Sequence, residues 1–347
     1  MAARPPAGSG PILVTGAPFS GTTWFGRTLS SIGALPYVHE PFNKKNNLFG
    51  YDLRFESHFT YITEKNEAKY LDQFRRLGSL RPRINGRNLW RNFNLFRCEF
   101  NEWRVRLHDR LRGGRAVWKD PMAVLSAGWI ARRFDASVIL LMRHPAGFTE
   151  AALKRSKGRS GLSGVDAMLH QPIFMDRHGD RYSEMLESMH SGRLAPHVEK
   201  ACLWRVLLEV AALESEGIGD RYSLVRYEDA CERPVDLFTT LVGSLGIAPR
   251  RDVAGIVEGT LRHHAHRRRR AEAFDMANSL YGWRRRFSKT EISEIVDAAG
   301  PIAREVFGDG VPAGVADPAA RAIDVDGLRR AIADERWDSK GREARSA

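Results

Sequence analysis

The sequence predicts an α/β protein built on a P-loop-like parallel β-sheet with helices on both faces. Three observations predict it. Short aliphatic runs alternate with helical patterns along almost the whole chain, which is how a parallel sheet with crossover helices reads. One run, SVILLM at residues 137–142, is apolar almost throughout, as a central strand covered on both faces must be. The first run, ILV at residues 12–14, turns through Gly16 and Gly21 into a helix. That layout gathers backbone N–H groups on an anion at a helix N-terminus.

Composition bounds the reading. With 347 residues, 43% hydrophobic and 28% charged, the chain has the make-up of an ordinary globular protein. No run of about 18 apolar residues is present, so no membrane span is expected. No signal-peptide core precedes the first strand, and Cys98, Cys202 and Cys231 are odd in number and widely spaced. They read as reduced thiols of a cytoplasmic protein and not as a disulfide frame. The histidines lack ligand spacing, so no metal is expected. A net charge of +12 fits nucleic acid, an anionic membrane or an anionic small ligand, and by itself does not choose.

In chain order, the spacing Gly16-x4-Gly21 is that of a phosphate-binding loop. Nucleoside triphosphatases follow it with Lys, which grips the terminal phosphates, and Ser/Thr, which holds Mg²⁺. Here Thr22 and Thr23 stand instead, which suits a diphosphate-like group better than a metal-bound triphosphate. A helix is expected over residues 22–32, then an extended piece at 35–38 running into His39-Glu40-Pro41-Phe42-Asn43. Glu40 thus falls at a strand end, where ligands gather in open α/β sheets. Residues 43–111 read as a mostly helical insertion, with helical periodicity at 70–77 and 96–111. A strand at 115–118 runs into Lys119-Asp120-Pro121, and a helix follows to about residue 134.

The strand at 137–142 ends in Arg143-His144-Pro145. A triphosphatase often carries an Asp for Mg²⁺ at such a position, and an arginine speaks for an anion. A helix over 146–157, a polar loop at 158–164 and weaker helical patterns, one at 198–216, come next. The strand at 222–226 leads into Tyr227-Glu228-Asp229, and Pro234 opens another helix. A basic run ends in Arg267–Arg270. Trp283 precedes a late helix with a Ser288-x-x-Glu291 capping box. The expected organisation is a single domain over residues 1–310 and a peripheral extension, 311–347, with one amphipathic helix near 325–332.

Pro18-Phe19-Ser20-Gly21-Thr22-Thr23-Trp24 resembles the 5′-phosphosulfate loop of sulfotransferases that use PAPS (3′-phosphoadenosine 5′-phosphosulfate), whose pattern is roughly P-[RK]-S-G-T-T-W. LLMRHPAGFTEAA resembles the family's 3′-phosphate segment, and VRYEDACERP its Y-E-D-x-x-x-x-P segment. His39-Glu40-Pro41-Phe42-Asn43 and Val117-Trp118-Lys119-Asp120-Pro121 resemble segments of bacterial and carbohydrate-type members, so that the likeness spans roughly residues 11–307. It implies the sulfotransferase fold and transfer of a sulfuryl group from PAPS to a hydroxyl of a small-molecule, lipid or carbohydrate acceptor, without a metal. It further implies Ser20, Gly21, Thr22 and Thr23 on the 5′-phosphosulfate, Trp24 and Tyr227 on the adenine, and Arg143 on the 3′-phosphate. Glu40 is the first candidate for the base, Asp120 the second, with helix capping its competing role. Lys119 is the candidate cation for the sulfuryl oxygens.

Three positions depart from the pattern. Phe19 replaces the basic loop residue, Ala151 replaces a 3′-phosphate serine, and Met276-Ala277-Asn278 stands where an Arg-Lys-Gly clasp is usual. Arg27, just over one helical turn past the loop, is expected to restore charge near the 5′ end, and Arg267–Arg270 to act as a lid or as a solvated surface. Two other readings compete: a nucleotide-binding protein of this descent without turnover, and a P-loop phosphotransferase. Nucleic acid is the weakest expectation, since the basic run lacks interleaved aromatics.

Overall fold

The computed structural model describes residues 10–43, 55, 57–78, 115–156, 163–268, 280–308, 323–335 and 337. Among the described residues, five parallel strands form one sheet: β1 (Ile12–Thr15), β2 (Tyr37–His39), β3 (Val117–Lys119), β4 (Ser137–Met142) and β5 (Tyr222–Arg226). Their order is β2-β3-β1-β4-β5. β1 is therefore central, and the chain crosses over it between β3 and β4. Ligand crevices form at such a switch point, beyond the carboxyl ends of the strands.

The two-residue period of the strands sorts the core into two layers. Ile12, Val14, Ile139 and Leu141 face a layer holding Phe25 and Leu29 of α1 (Thr22–Gly33) and Phe238 of the helix Pro234–Ser244. Leu13, Trp118, Val138 and Leu140 face the opposite layer. There they meet the cluster of Trp204 in the helix Pro196–Leu213 and Ile302 in the helix Lys289–Phe307. Helices thus cover both faces, as the alternating pattern requires.

β3 starts two residues later than the sequence pattern suggests, and Arg115 before it is engaged at the base of the sheet. Its guanidinium donates to the Gly10 and Leu245 carbonyls at 2.7 and 2.8 Å and to the Ser137 hydroxyl at 2.8 Å. Lys119 is the last residue of the strand. The helix Pro172–His190 falls partly on a stretch with only weak helical signal, since its inward face includes His178, Gly179 and Tyr182 among the apolar residues. The capping box at Ser288 and Glu291 forms as its spacing requires.

Of the expected insertion at 43–111, residues 43, 55 and 57–78 are described, including the helix Leu71–Gly78. The expected helix at 96–111 and the Met276-Ala277-Asn278 stretch lie outside the described residues, as do Arg269, Arg270 and the side chains of Arg267 and Arg268. Of residues 311–347, 323–335 and 337 are described: the helix Val325–Asp334 buries Leu328 and Ile332, and Trp337 follows it inward. Arg181 caps that helix, donating to the Ile332, Ala333 and Glu335 carbonyls at 2.5–3.0 Å. A guanidinium placed there also meets the negative end of the helix dipole. Among the described residues no helix is long and apolar enough to cross a membrane.

Glu214 ties the segment 57–78 to the helices around it. Its carboxylate accepts from the Tyr61 hydroxyl at 2.6 Å and pairs with Arg177 at 2.9 Å and Arg132 at 3.1 Å, with His178 at 3.4 Å. Burial acts to raise the carboxyl, but these donors win and hold it at about 2. A depressed carboxylate contributes stability above its ordinary value and loses that contribution as pH falls through the folded value. Glu214→Gln should therefore cost on the order of 3 kcal/mol at neutral pH, read as a melting temperature lower by several degrees. The gap to wild type should close as pH falls from 4.5 towards about 2.

Candidate active site

Gly21 begins the site. It stands at φ 82° as the residue before α1, a conformation that favours glycine, and a Cβ there would fall 2.3 Å from the Tyr227 ring. Within α1 the first amide with an acceptor is that of Phe25, on the Gly21 carbonyl at 3.2 Å. The amides of Thr22, Thr23 and Trp24 precede it, so they have no partner inside the helix and lie at the positive end of its dipole. The Ser20 hydroxyl is fully buried beside them, with no hydrogen-bond partner among the described residues. A buried polar atom in that state is costly unless a ligand completes it. These residues fit a phosphate-like anion.

Phe19, at φ 69°, forms the loop tip and is the exposed large apolar residue among those described, at 44%. Its ring leans on Phe148 at 6.4 Å. Arg143, just past β4, donates to the Phe19 carbonyl at 3.1 Å and lies 5.3 Å from the centroid of the Tyr227 ring. Arg143, Tyr227 and the loop are therefore brought together. Two residues without a sequence-assigned role join them. The amide of His144 donates to Glu228 at 3.0 Å, and its imidazole stacks on Trp283 at 4.5 Å with the planes 4° apart. Burial, with Arg284 and Arg143 nearby, lowers His144 to about 3, so the ring is neutral. Burial pushes the Glu228 carboxyl up to about 7, against the His144 amide that favours its charge. The signal for both was present, since His144 and Glu228 stand inside the two segments, directly after Arg143 and Tyr227.

On the other side of β1, Glu40 and Lys119 meet. The Lys119 ammonium, 1% exposed, pairs with Glu40 Oε1, and the Asn43 side chain donates to Oε2 at 2.8 Å. Burial acts to raise the Glu40 carboxyl, but the charge and hydrogen bond of Lys119, with Asn43 and His39 assisting, hold it below the usual carboxylate range. Burial lowers Lys119 as well, against the pull of Glu40. Glu40 itself stands at φ 47°, in the left-handed region that side chains avoid.

Asp120 is buried and both its oxygens are engaged, one by the Phe42 amide at 2.5 Å, the other by the Met122 amide at 2.8 Å. It caps the turn Pro121–Ser126. Burial pushes its carboxyl up to about 7, with the two amides opposing. The structure thus gives Asp120 the capping role. Trp24 packs in the core, edge-on to Phe25 and Phe238 at 6.5 and 5.9 Å. Arg27 lies over the Tyr37 ring on β2, at 5.8 Å, and so stands by the Glu40 side of the sheet.

The chain is similar to sulfotransferase structures. A sulfotransferase domain of the Synechococcus PCC 7002 olefin synthase aligns with 86% of this chain and 95% of its own, at 16% identity and a TM-score of 0.41. A sulfotransferase from Alicyclobacillus acidocaldarius aligns over 82% of this chain and all of its own, at 15% identity and a TM-score of 0.33. One from Mycobacterium avium aligns over 85% and 76%, at 15% identity and 0.39. No family model and no curated protein matches the chain.

If Asp120 is a cap, its loss should act on stability. Asp120→Ala leaves two amides unsatisfied and should cost about 1–2 kcal/mol, measurable by urea denaturation. Loss of function without that destabilisation would contradict the capping role.

Proposed function

We propose that this protein transfers a sulfuryl group from PAPS to a hydroxyl of a small-molecule, lipid or carbohydrate acceptor, with Glu40 as the base. The observation that carries the reading is the Lys119–Glu40 pair on two neighbouring strand ends, beside a phosphate loop with Thr22 in place of lysine. PAPS supplies an activated sulfuryl group and leaves as the desulfated nucleotide, PAP. Ser20, Gly21, Thr22 and Thr23 hold its 5′ end through amides and hydroxyls. Arg143 takes the 3′-phosphate, for which its planar fork is suited. Tyr227 and the edge of Trp24 meet the adenine.

Glu40 accepts the proton of the acceptor O–H, a task for which it must be ionised near neutral pH. Lys119 keeps it so. Once Glu40 carries the proton, the ammonium loses its counter-charge and faces the sulfuryl oxygens, the work that a basic residue at position 19 would otherwise do. Phe19 favours a second reading, a nucleotide-binding protein of this kind without turnover.

Calorimetry with PAP against ATP·Mg²⁺, followed by transfer of radiolabelled sulfate, tests both. PAP should bind and ATP·Mg²⁺ should not. Glu40→Gln should lower transfer by about 10²–10⁴ with PAP affinity retained, and Lys119→Ala by on the order of 10²–10³. Binding of PAP without transfer to any acceptor would select the second reading, and equal transfer by both variants and wild type would remove the assigned roles.

The pH profile adds a separate check. Because Glu40 is held below the usual carboxylate range, the acid limb of kcat/KM should lie lower than an ordinary carboxylate gives. With Lys119 replaced by Ala, burial is left opposed only by weaker neighbours, so the limb should move to higher pH.

A further inference from the structure

Arg27 is the only charged residue of α1, and it is exposed. The backbone of α1 comes so close to the sheet that a Cβ at Gly26 would stand 3.3 Å from both Lys119 Cβ and Tyr37 Cε2. That approach brings the next residue, Arg27, over the Tyr37 ring. Tyr37 in turn stacks on His39, 6.0 Å between centroids, with its hydroxyl 3.4 Å from His39 Nδ1. His39 Nε2 lies 3.8 Å from Glu40 Oε1. A continuous rung of guanidinium, phenol and imidazole therefore runs up the edge strand to the carboxylate.

The charges on this rung do not cancel. Glu40 is taken up by Lys119, and Asp120 by two amides. Among the described residues no carboxylate pairs with Arg27. Burial, Lys119 and Arg27 hold His39 at about 4, so its ring is neutral and adds a donor or an acceptor, not a charge. An uncompensated guanidinium beside an aromatic face and a neutral imidazole is a receptor for a carboxylate or a phosphate ester.

We infer that Arg27, with Tyr37 and His39, receives an anionic group of the acceptor, a carboxylate or phosphate ester, and so sets the acceptor hydroxyl before Glu40. The inference rests on the reading of Glu40 as the base. It moves Arg27 from the 5′ end of the nucleotide to the acceptor, and makes the acceptor class anionic.

Matched probes test it on the full-length protein saturated with PAP: 4-hydroxyphenylacetate, 4-hydroxyphenyl phosphate and neutral 4-ethylphenol, titrated by calorimetry. At least one anion should bind about five- to tenfold more tightly than the neutral phenol, the scale of a partly exposed charge-assisted contact. The order of the two anions tells carboxylate from phosphate ester. The preference should vanish in Arg27→Ala and survive in part in Arg27→Lys, with melting curves confirming that both variants are folded. Equal binding of the three probes, no binding of any, or a preference that persists in Arg27→Ala overturns the inference. So does a loss of PAP affinity in Arg27→Ala, which would put this guanidinium on the nucleotide. Failure of wild type to take up PAP shows before any phenol is added, and overturns the functional reading and this inference with it.

Discussion

A lysine ammonium buried beneath a helix cannot stay charged without a partner. That constraint organises the edge of the sheet. Lys119 ends β3 under α1, and the carboxylate that answers it comes from Glu40, just past β2. The backbone repeats the link, since the Glu40 amide donates to the Lys119 carbonyl at 2.7 Å. To reach the ammonium, Glu40 adopts a left-handed conformation whose cost is about 1–3 kcal/mol. The surrounding bonds over-determine it. Asn43 donates to the Glu40 carbonyl through its amide and to the carboxylate through its side chain. Asp120 holds the intervening Phe42 amide. Asp120 is thus part of the frame that fixes Glu40.

The other side of β1 repeats the device. Phe19 also has a positive φ, and its carbonyl is held by Arg143 from the end of β4. Arg143 lies over Tyr227, Tyr227 closes on Gly21, and the amide beside Arg143 is anchored by Glu228. Two strained residues, one on each side of the central strand, are each braced from a neighbouring strand end. Groups locked in this way need little reorganisation when a charged ligand arrives, which is the condition for electrostatic catalysis.

Much of this was legible in the sequence wherever the signal is local. The strand, the two glycines and the paired threonines lie within a dozen residues, so the strand–turn–helix of the loop is readable from the sequence. The apolar run of β4 and the Ser288–Glu291 box are equally local. What was not legible depends on distant pairing. Glu40 and Lys119 stand 79 positions apart, and only the β2-β3-β1 order makes them neighbours. Arg27 shows the same limit. Its place in the sequence, a turn past the loop, suggested the nucleotide, and nothing local reveals that the close approach of Gly26 to β2 and β3 lays its guanidinium over Tyr37. The helix Val325–Asp334 read correctly as amphipathic, but nothing local reveals that Arg181, 151 positions from Ile332, caps it.

The exchange of a loop cation for an apolar ring acquires a physical sense on the proposed reaction. A basic side chain at the exposed position 19 would be hydrated, and its field at a reacting oxygen screened. The ammonium of Lys119 is out of water, where the same charge acts more strongly. Its field is cancelled as long as Glu40 is ionised. On that proposal, proton transfer from the acceptor to Glu40 would remove the cancellation at the step in which the leaving oxygen gains charge. The base and the cation would then act as one coupled unit. Stabilisation would go to the transition state and not to the resting complex, which is where binding energy accelerates a reaction.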